Sequence, residues 1–268
     1  MKTTVNKFPK IVTRLFWITI FILVWQGYVK LFDVSPMLFP PVEEIVKELW
    51  QGFVTGDLLA QTLYSMWIIV LGLAVAAVAA FLLALLSGIN GVTNSFVDTL
   101  MTIMHPLPGL ALLPLVIMWF GTGSLAVLVI IVHSALWPIL QNILTGFKSV
   151  PQIYLDTAKS FSLGGAATVF EIMLKSSMAY IISGVKIGWA RAWRALISAE
   201  MVFGAVGNKG GIGWFILKQR TFMNTAGLFA GIIVVIALGV LVEDCIFAFV
   251  EKNTVKKWGM IKEQGGEG

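Results

Sequence analysis

The stretch TLMTIMHPLPGLALLPLVIMWFGTGSLAVLVIIVHSALWPILQNILTGF, residues 99–147, contains no Asp, Glu, Lys or Arg. One helix crosses the hydrocarbon core of a bilayer with roughly 20 apolar residues. This stretch is too long for one crossing and suits two joined by a short turn. Residues 58–97, between Asp57 and Asp98, are equally free of charge. These intervals decide the fold class: an all-α, polytopic membrane helix bundle.

Working outward, hydropathy predicts six crossings over residues 15–32, 63–86, 100–120, 125–147, 178–202 and 226–250. The chain is 58% hydrophobic and 12% charged, about half the charge of an ordinary soluble domain. Its 10 Trp and 18 Phe suit lipid contact and interfacial belts. The single cysteine, Cys245, excludes an intrachain disulfide. The net charge of +5 reflects Lys and Arg in loops and tails; there they report topology and give no nucleic-acid signature. The first apolar segment follows Lys2, Lys7, Lys10 and Arg14, yet no small-residue cleavage site follows it, so it reads as a retained helix.

The Lys/Arg bias predicts that both termini are cytoplasmic. Lys148, Lys159, Lys175, Lys252, Lys256, Lys257 and Lys262 then fall inside with the N-terminal cluster, whereas Lys30, Lys47, Lys209, Lys218 and Arg220 fall outside. The expected organisation is a tail over 1–14, a transmembrane domain over 15–250 and a second tail over 251–268. In the outer loop, Pro40-Pro41 followed by Glu43 and Glu44 marks a helix start. Val42, Ile45, Val46, Leu49 and Trp50 give that helix, about 41–51, one apolar face suited to the membrane surface. The cytoplasmic loop 148–177 has both charge signs and Gly164-Gly165 near its middle. It reads as two short helices about a turn, either docking a partner or serving as a solvated connector.

Arg191 and Arg194 are the most expensive residues to place in a bilayer, near the middle of the fifth crossing. Their i, i+3 spacing puts them on one helix face. Two readings stand: an electropositive patch on an anion route, or a structural pair with Glu200, Glu243 or Asp244. Glu200, toward the outer end of the same helix, counterbalances an arginine or helps gate the outer mouth. His105 and His133 are isolated and read as hydrogen-bonded interior histidines; no metal site is expected. Pro106, Pro108, Pro114 and Pro138 interrupt crossings, as in the broken helices that line transport cavities or as simple kinks. No phosphate-binding Gly-rich loop, zinc-protease pair or nucleophile elbow is present. Enzymatic activity is therefore not expected, and any ATP-derived energy must come from outside this chain.

The loop residues Asp156-Thr157-Ala158, then Ser162, then Ile172-Met173-Leu174-Lys175, resemble the EAA loop of ABC importer permeases. Ala158, Ile172 and Leu174 match that pattern, while Asp156, Thr157, Ser162 and Lys175 replace its Glu, Ala, Gly and Pro. Phe39-Pro40-Pro41-Val42-Glu43-Glu44, Leu112 to Gly123, Ala199-Glu200-Met201 and Gly210-Gly211-Ile212-Gly213-Trp214 are similar to the nitrate/sulfonate/taurine/bicarbonate subfamily. The resemblance implies a type I ABC importer permease (MetI-like) fold in a bacterial-type plasma (inner) membrane. It implies a dimer of permease copies and two cytoplasmic ATPase subunits, gripped through Asp156, Thr157, Ala158, Ser162 and Gly164. It further implies an extracytoplasmic substrate-binding protein, ATP and Mg held by the ATPase, and no cofactor in this chain. Arg191, Arg194 and Glu200 are the expected pathway residues, and a sulfonate, nitrate or carboxylate is the expected solute. The alternative is a secondary transporter driven by an ion gradient; that class usually has more helices and internal repeats, and no repeat is seen here.

Overall fold

Apolar runs without charge leave the backbone only itself to hydrogen bond with in lipid, so they fold as helices. The computed structural model describes residues 10–204 and 210–257, and everything below concerns those residues. Lys2, Lys7, Lys209 and Lys262, used above for orientation, lie outside them.

In chain order the helices are α1 (Lys10–Leu31), α2 (Val42–Val54), α3 (Leu58–Ser87), α4 (Gly91–Met104), α5 (Leu113–Phe120) and α6 (Ser124–Lys148). The loop region holds α7 (Gln152–Ser160), α8 (Gly165–Thr168) and α9 (Leu174–Ser176), with a π-helical turn at Val169–Met173. Then come α10 (Met178–Phe203), α11 (Ile212–Thr221), α12 (Thr225–Leu241) and α13 (Ala248–Glu251), with π turns at Val242–Phe247 and Lys252–Lys256. Four continuous helical stretches are long and apolar enough to span a membrane: Val12–Leu31, Leu58–Ser87, Ser124–Lys148 and Thr225–Val255. Two bent pairs bring the number to as many as six, if each pair is one span.

The segment expected to cross over 100–120 is interrupted and is not one helix. α4 ends at Met104, a 3₁₀ turn covers Gly109–Leu112, and the two halves meet at 89°. Pro106 and Pro108 explain the break: each lacks a backbone N–H, and although His105 before Pro106 is still helical, Pro108 itself takes extended backbone at ψ 130° ahead of the 3₁₀ turn. Pro114, by contrast, sits in the first turn of α5, where its missing N–H costs nothing. Pro138 lies inside α6 without ending it. Gly121 closes α5 at φ 69°, a left-handed conformation that glycine adopts without strain.

The chain forms two compact units. One comprises Met1–Leu59 with Phe215–Val234. In it, Gln26 Oε1 accepts from the Val42 N–H at 2.9 Å, Trp25 Nε1 donates to the Pro40 carbonyl at 3.0 Å, and Lys30 pairs with Glu43 at 3.0 Å. These bonds fix the start of α2 against α1. On α2, Ile45 is buried while Val46 and Trp50 are exposed, so the anticipated single apolar face is divided.

The other unit comprises Ala60–Trp214 with Val235–Gly268 and contains the main apolar core. Its central seam is α6 against α10. Gly184 and Gly188 of α10 lie over Asn142, Ile139 and the Ala135 carbonyl, and Gly146 of α6 lies over Ser177 and Tyr180. Small residues let two backbones approach in lipid, where dispersion replaces the hydrophobic drive. α3 uses the same device: Gly72, Ala76, Ala80 and Ala84 are all buried, and Gly72 packs on Ile131 of α6.

Candidate functional site

Burial along α10 sorts its residues by face. Ala192, Trp193, Ala195, Leu196 and Ala199 are buried, whereas Arg191 and Arg194 are exposed. Both arginines line a cavity of about 280 Å³, together with His105, the Pro106–Leu110 break, His133, Ser134, Trp137 and Ser198. The broken α4–α5 segment thus supplies one wall, α6 a second and α10 a third. Gly109 is what lets the break sit close to α6: a Cβ there would reach Ser134 Oγ. Pro138 lacks the N–H that would otherwise bond the Ser134 carbonyl. Among the described residues, no acidic one lines the cavity.

Neither guanidinium forms a salt bridge among the described residues. The expected alternative of an ion pair with Glu200 is therefore corrected. Glu200 is only 3% exposed and turned elsewhere. Ser65 Oγ donates to its carboxylate, lying 2.7 and 2.9 Å from the two oxygens, and the Gly213 N–H donates to Oε2 at 2.9 Å. Ser65 Oγ in turn accepts from the Ile212 N–H at 2.9 Å. A Cβ at Gly211 would run into Glu200 and Ser65, so glycine is required for this approach. Glu200 belongs to a structural knot, and it does not line the cavity.

The histidines also depart from expectation. Neither ring makes a hydrogen bond among the described residues; both nitrogens of His133 are buried without a partner, as is Trp137 Nε1. A buried unpaired polar group costs about 1–3 kcal/mol. The two rings lie edge to face with centroids 6.1 Å apart. Trp137 escaped sequence reasoning because one tryptophan among 10 carries no distinguishing context. Its i, i+4 relation to His133 was the available signal.

The loop residues fall into place on α7 and its exit. Asp156 accepts from Gln152 Nε2 at 3.0 Å and pairs with Lys159 at 3.5 Å. Thr157 Oγ1 donates to the Ile153 carbonyl at 2.7 Å. Ala158 is buried, while Ile153, Tyr154 and Phe161 expose apolar surface. Ser162 has φ 53°; its N–H donates to the Lys159 carbonyl and the Leu163 N–H to the Ala158 carbonyl, both at 2.9 Å. That is a Schellman closure with serine in the position glycine usually holds. Gly164 caps α8 in extended backbone. Lys175 forms an ion pair with Glu171.

Residues 76–256 match the family model of the binding-protein-dependent transport system inner membrane component. The chain belongs to this family. Among relatives of the permease, the taurine transport system permease protein TauC of Escherichia coli (strain K12) is 26% identical over 84% of this chain and 82% of its own length. The nitrate import permease protein NrtB of Leptolyngbya laminosa is 27% identical over 79% and 77%. The bicarbonate transport system permease protein CmpB of Synechococcus elongatus is 26% identical over 83% and 82%. The permease is a transport subunit of the inner membrane, not an enzyme. Its all-helical fold is the MetI-like fold of importer permeases. As a component of a binding-protein-dependent system, it works with a substrate-binding protein and an ATPase rather than as an ion-gradient carrier.

Proposed function

We propose that two copies of this chain form the translocation pathway of an ATP-driven importer for a small anion, a sulfonate, nitrate or carboxylate. The observation that carries this reading is the cavity that Arg191 and Arg194 line without an acidic partner among the described residues. A cation kept at membrane depth is costly unless it faces a pathway or a partner. The names of the relatives, which concern taurine, nitrate and bicarbonate, support the same solute class.

The loop 148–177 grips a cytoplasmic ATPase, which holds the ATP and Mg; exposed Ile153, Tyr154 and Phe161 support this. Ala158 contributes by packing α7, and Ser162 and Gly164 by shaping its exit. Both termini are cytoplasmic in this reading, as the Lys/Arg distribution supports.

Uptake by the assembled importer tests the reading. With taurine, nitrate and bicarbonate offered separately, Arg191→Ala and Arg194→Ala are expected to lower uptake of the transported anion at least tenfold, about 1.4 kcal/mol. Uptake unchanged in both variants would remove the electrostatic basis of the proposal.

A further inference from the structure

The cavity holds more hydrogen-bonding capacity than a passage needs. Besides Arg191 and Arg194, its walls include the side chains of His105, Ser134 and Ser198. Behind them lie three buried nitrogens with no partner among the described residues: both of His133 and the indole nitrogen of Trp137. Such groups are rare in a well-packed protein and call for an explanation. Here the two residues sit one turn apart on α6, and both line the same cavity. Their rings touch edge to face instead of bonding each other. Turned about χ2, a broad sp³–sp² torsion, a ring of either kind can change the direction in which its nitrogen points.

We infer that the cavity is a binding station for the translocated solute, with His133 and Trp137 as its specificity-determining residues. This rests on the reading of the cavity as part of an anion route. Arg191 and Arg194 supply the charge. The Trp137 indole N–H and a His133 N–H donate to further oxygens of the same ligand. The ligand class is a small oxyanion with several acceptor oxygens and a short apolar tail, such as a short alkanesulfonate. A liquid water occupies about 30 Å³, so a cavity of about 280 Å³ is roomy for chloride or bare nitrate. Leu110, Pro106 and Pro108 offer the tail an apolar wall. A site built to hydrogen bond its ligand rejects analogues that leave its groups unpaired, which disfavours a halide despite its charge.

The test uses the full-length permease in lipid nanodiscs, titrated calorimetrically with ethanesulfonate, nitrate or chloride. Saturable ethanesulfonate binding is expected, with chloride not binding. Trp137→Phe and His133→Phe each weaken ethanesulfonate binding at least tenfold, His133→Gln restores most of it, and the thermal midpoint of Trp137→Phe does not fall. Equal binding of ethanesulfonate and chloride, or unchanged binding in both Phe variants, overturns the inference. If the permease binds no oxyanion while the assembled importer still takes anions up through Arg191 and Arg194, the station is wrong and the route stands. If the importer takes up no anion, the route fails and the station with it.

Discussion

Ser162 holds a left-handed backbone at the exit of α7, with φ 53°. A non-glycine residue pays for this conformation, because its Cβ crowds the following carbonyl. Both Schellman bonds are nevertheless made, so the turn keeps its form despite the missing glycine. Ser162→Gly removes a left-handed penalty of roughly 1–2 kcal/mol against a glycine entropy loss of roughly 0.5–1 kcal/mol, so the turn is expected to gain about 0.5–1 kcal/mol, seen as slower amide exchange at positions 162 and 163. Exchange that accelerates would mean that the serine side chain stabilises the turn. Of the two roles that the sequence left open for Arg191 and Arg194, an ion pair with an acid is not made among the described residues. Arg191 and Arg194 could be singled out because charge in an apolar run is visible in one dimension. The company that Glu200 keeps was not visible, since Ser65 is 135 positions away and no local pattern links them.

At the scale of elements, the α6–α10 seam depends on side chains that are absent. At Gly188 a Cβ would sit 3.0 Å from Ile139 Cγ1 and 3.2 Å from the Ala135 carbonyl. Gly188→Leu cannot fit that space without parting the helices, and overpacking of this kind costs roughly 1–3 kcal/mol or more. The expected outcome is a lower thermal midpoint in detergent, with Gly188→Ala intermediate. A leucine variant as stable as the parent would show that the seam is looser than described. The pattern Gly184-Val185-Lys186-Ile187-Gly188 is a GxxxG spacing legible in the sequence, as are the alanines of α3. Hydropathy windows average over such residues, which is why they located the crossings and missed the contacts. The same averaging hid the 89° bend between α4 and α5, although Pro106 and Pro108 announced an interruption.

At the scale of the whole molecule, the separation of roles between surfaces sets the experiments. The cavity lies within the core unit, whereas the loop that follows α6 exposes Ile153, Tyr154 and Phe161. In the proposed reading these apolar side chains on a charged connector meet the ATPase. Replacing Tyr154 by Asp is expected to abolish co-purification of the ATPase and to cut ATP-driven uptake at least tenfold, while membrane insertion and anion binding persist. Full co-purification with this variant would move the contact elsewhere. Ala158 is a poorer probe, because its burial makes any larger side chain a disruption of α7 itself.

The carboxylate of Glu200 joins α10 to Ser65 of α3 and to the first residues of α11. Three segments distant along the chain are thereby moored at one post. Any rearrangement that carries this end of α10 must drag its two companions along, as a block. Compliance then has to reside elsewhere in the core unit, and the elbow beside the arginines, where two prolines remove backbone donors, is a natural place for it. Opening and closing of the route would be felt first at the cavity wall, so filling that space and changing its shape become one event.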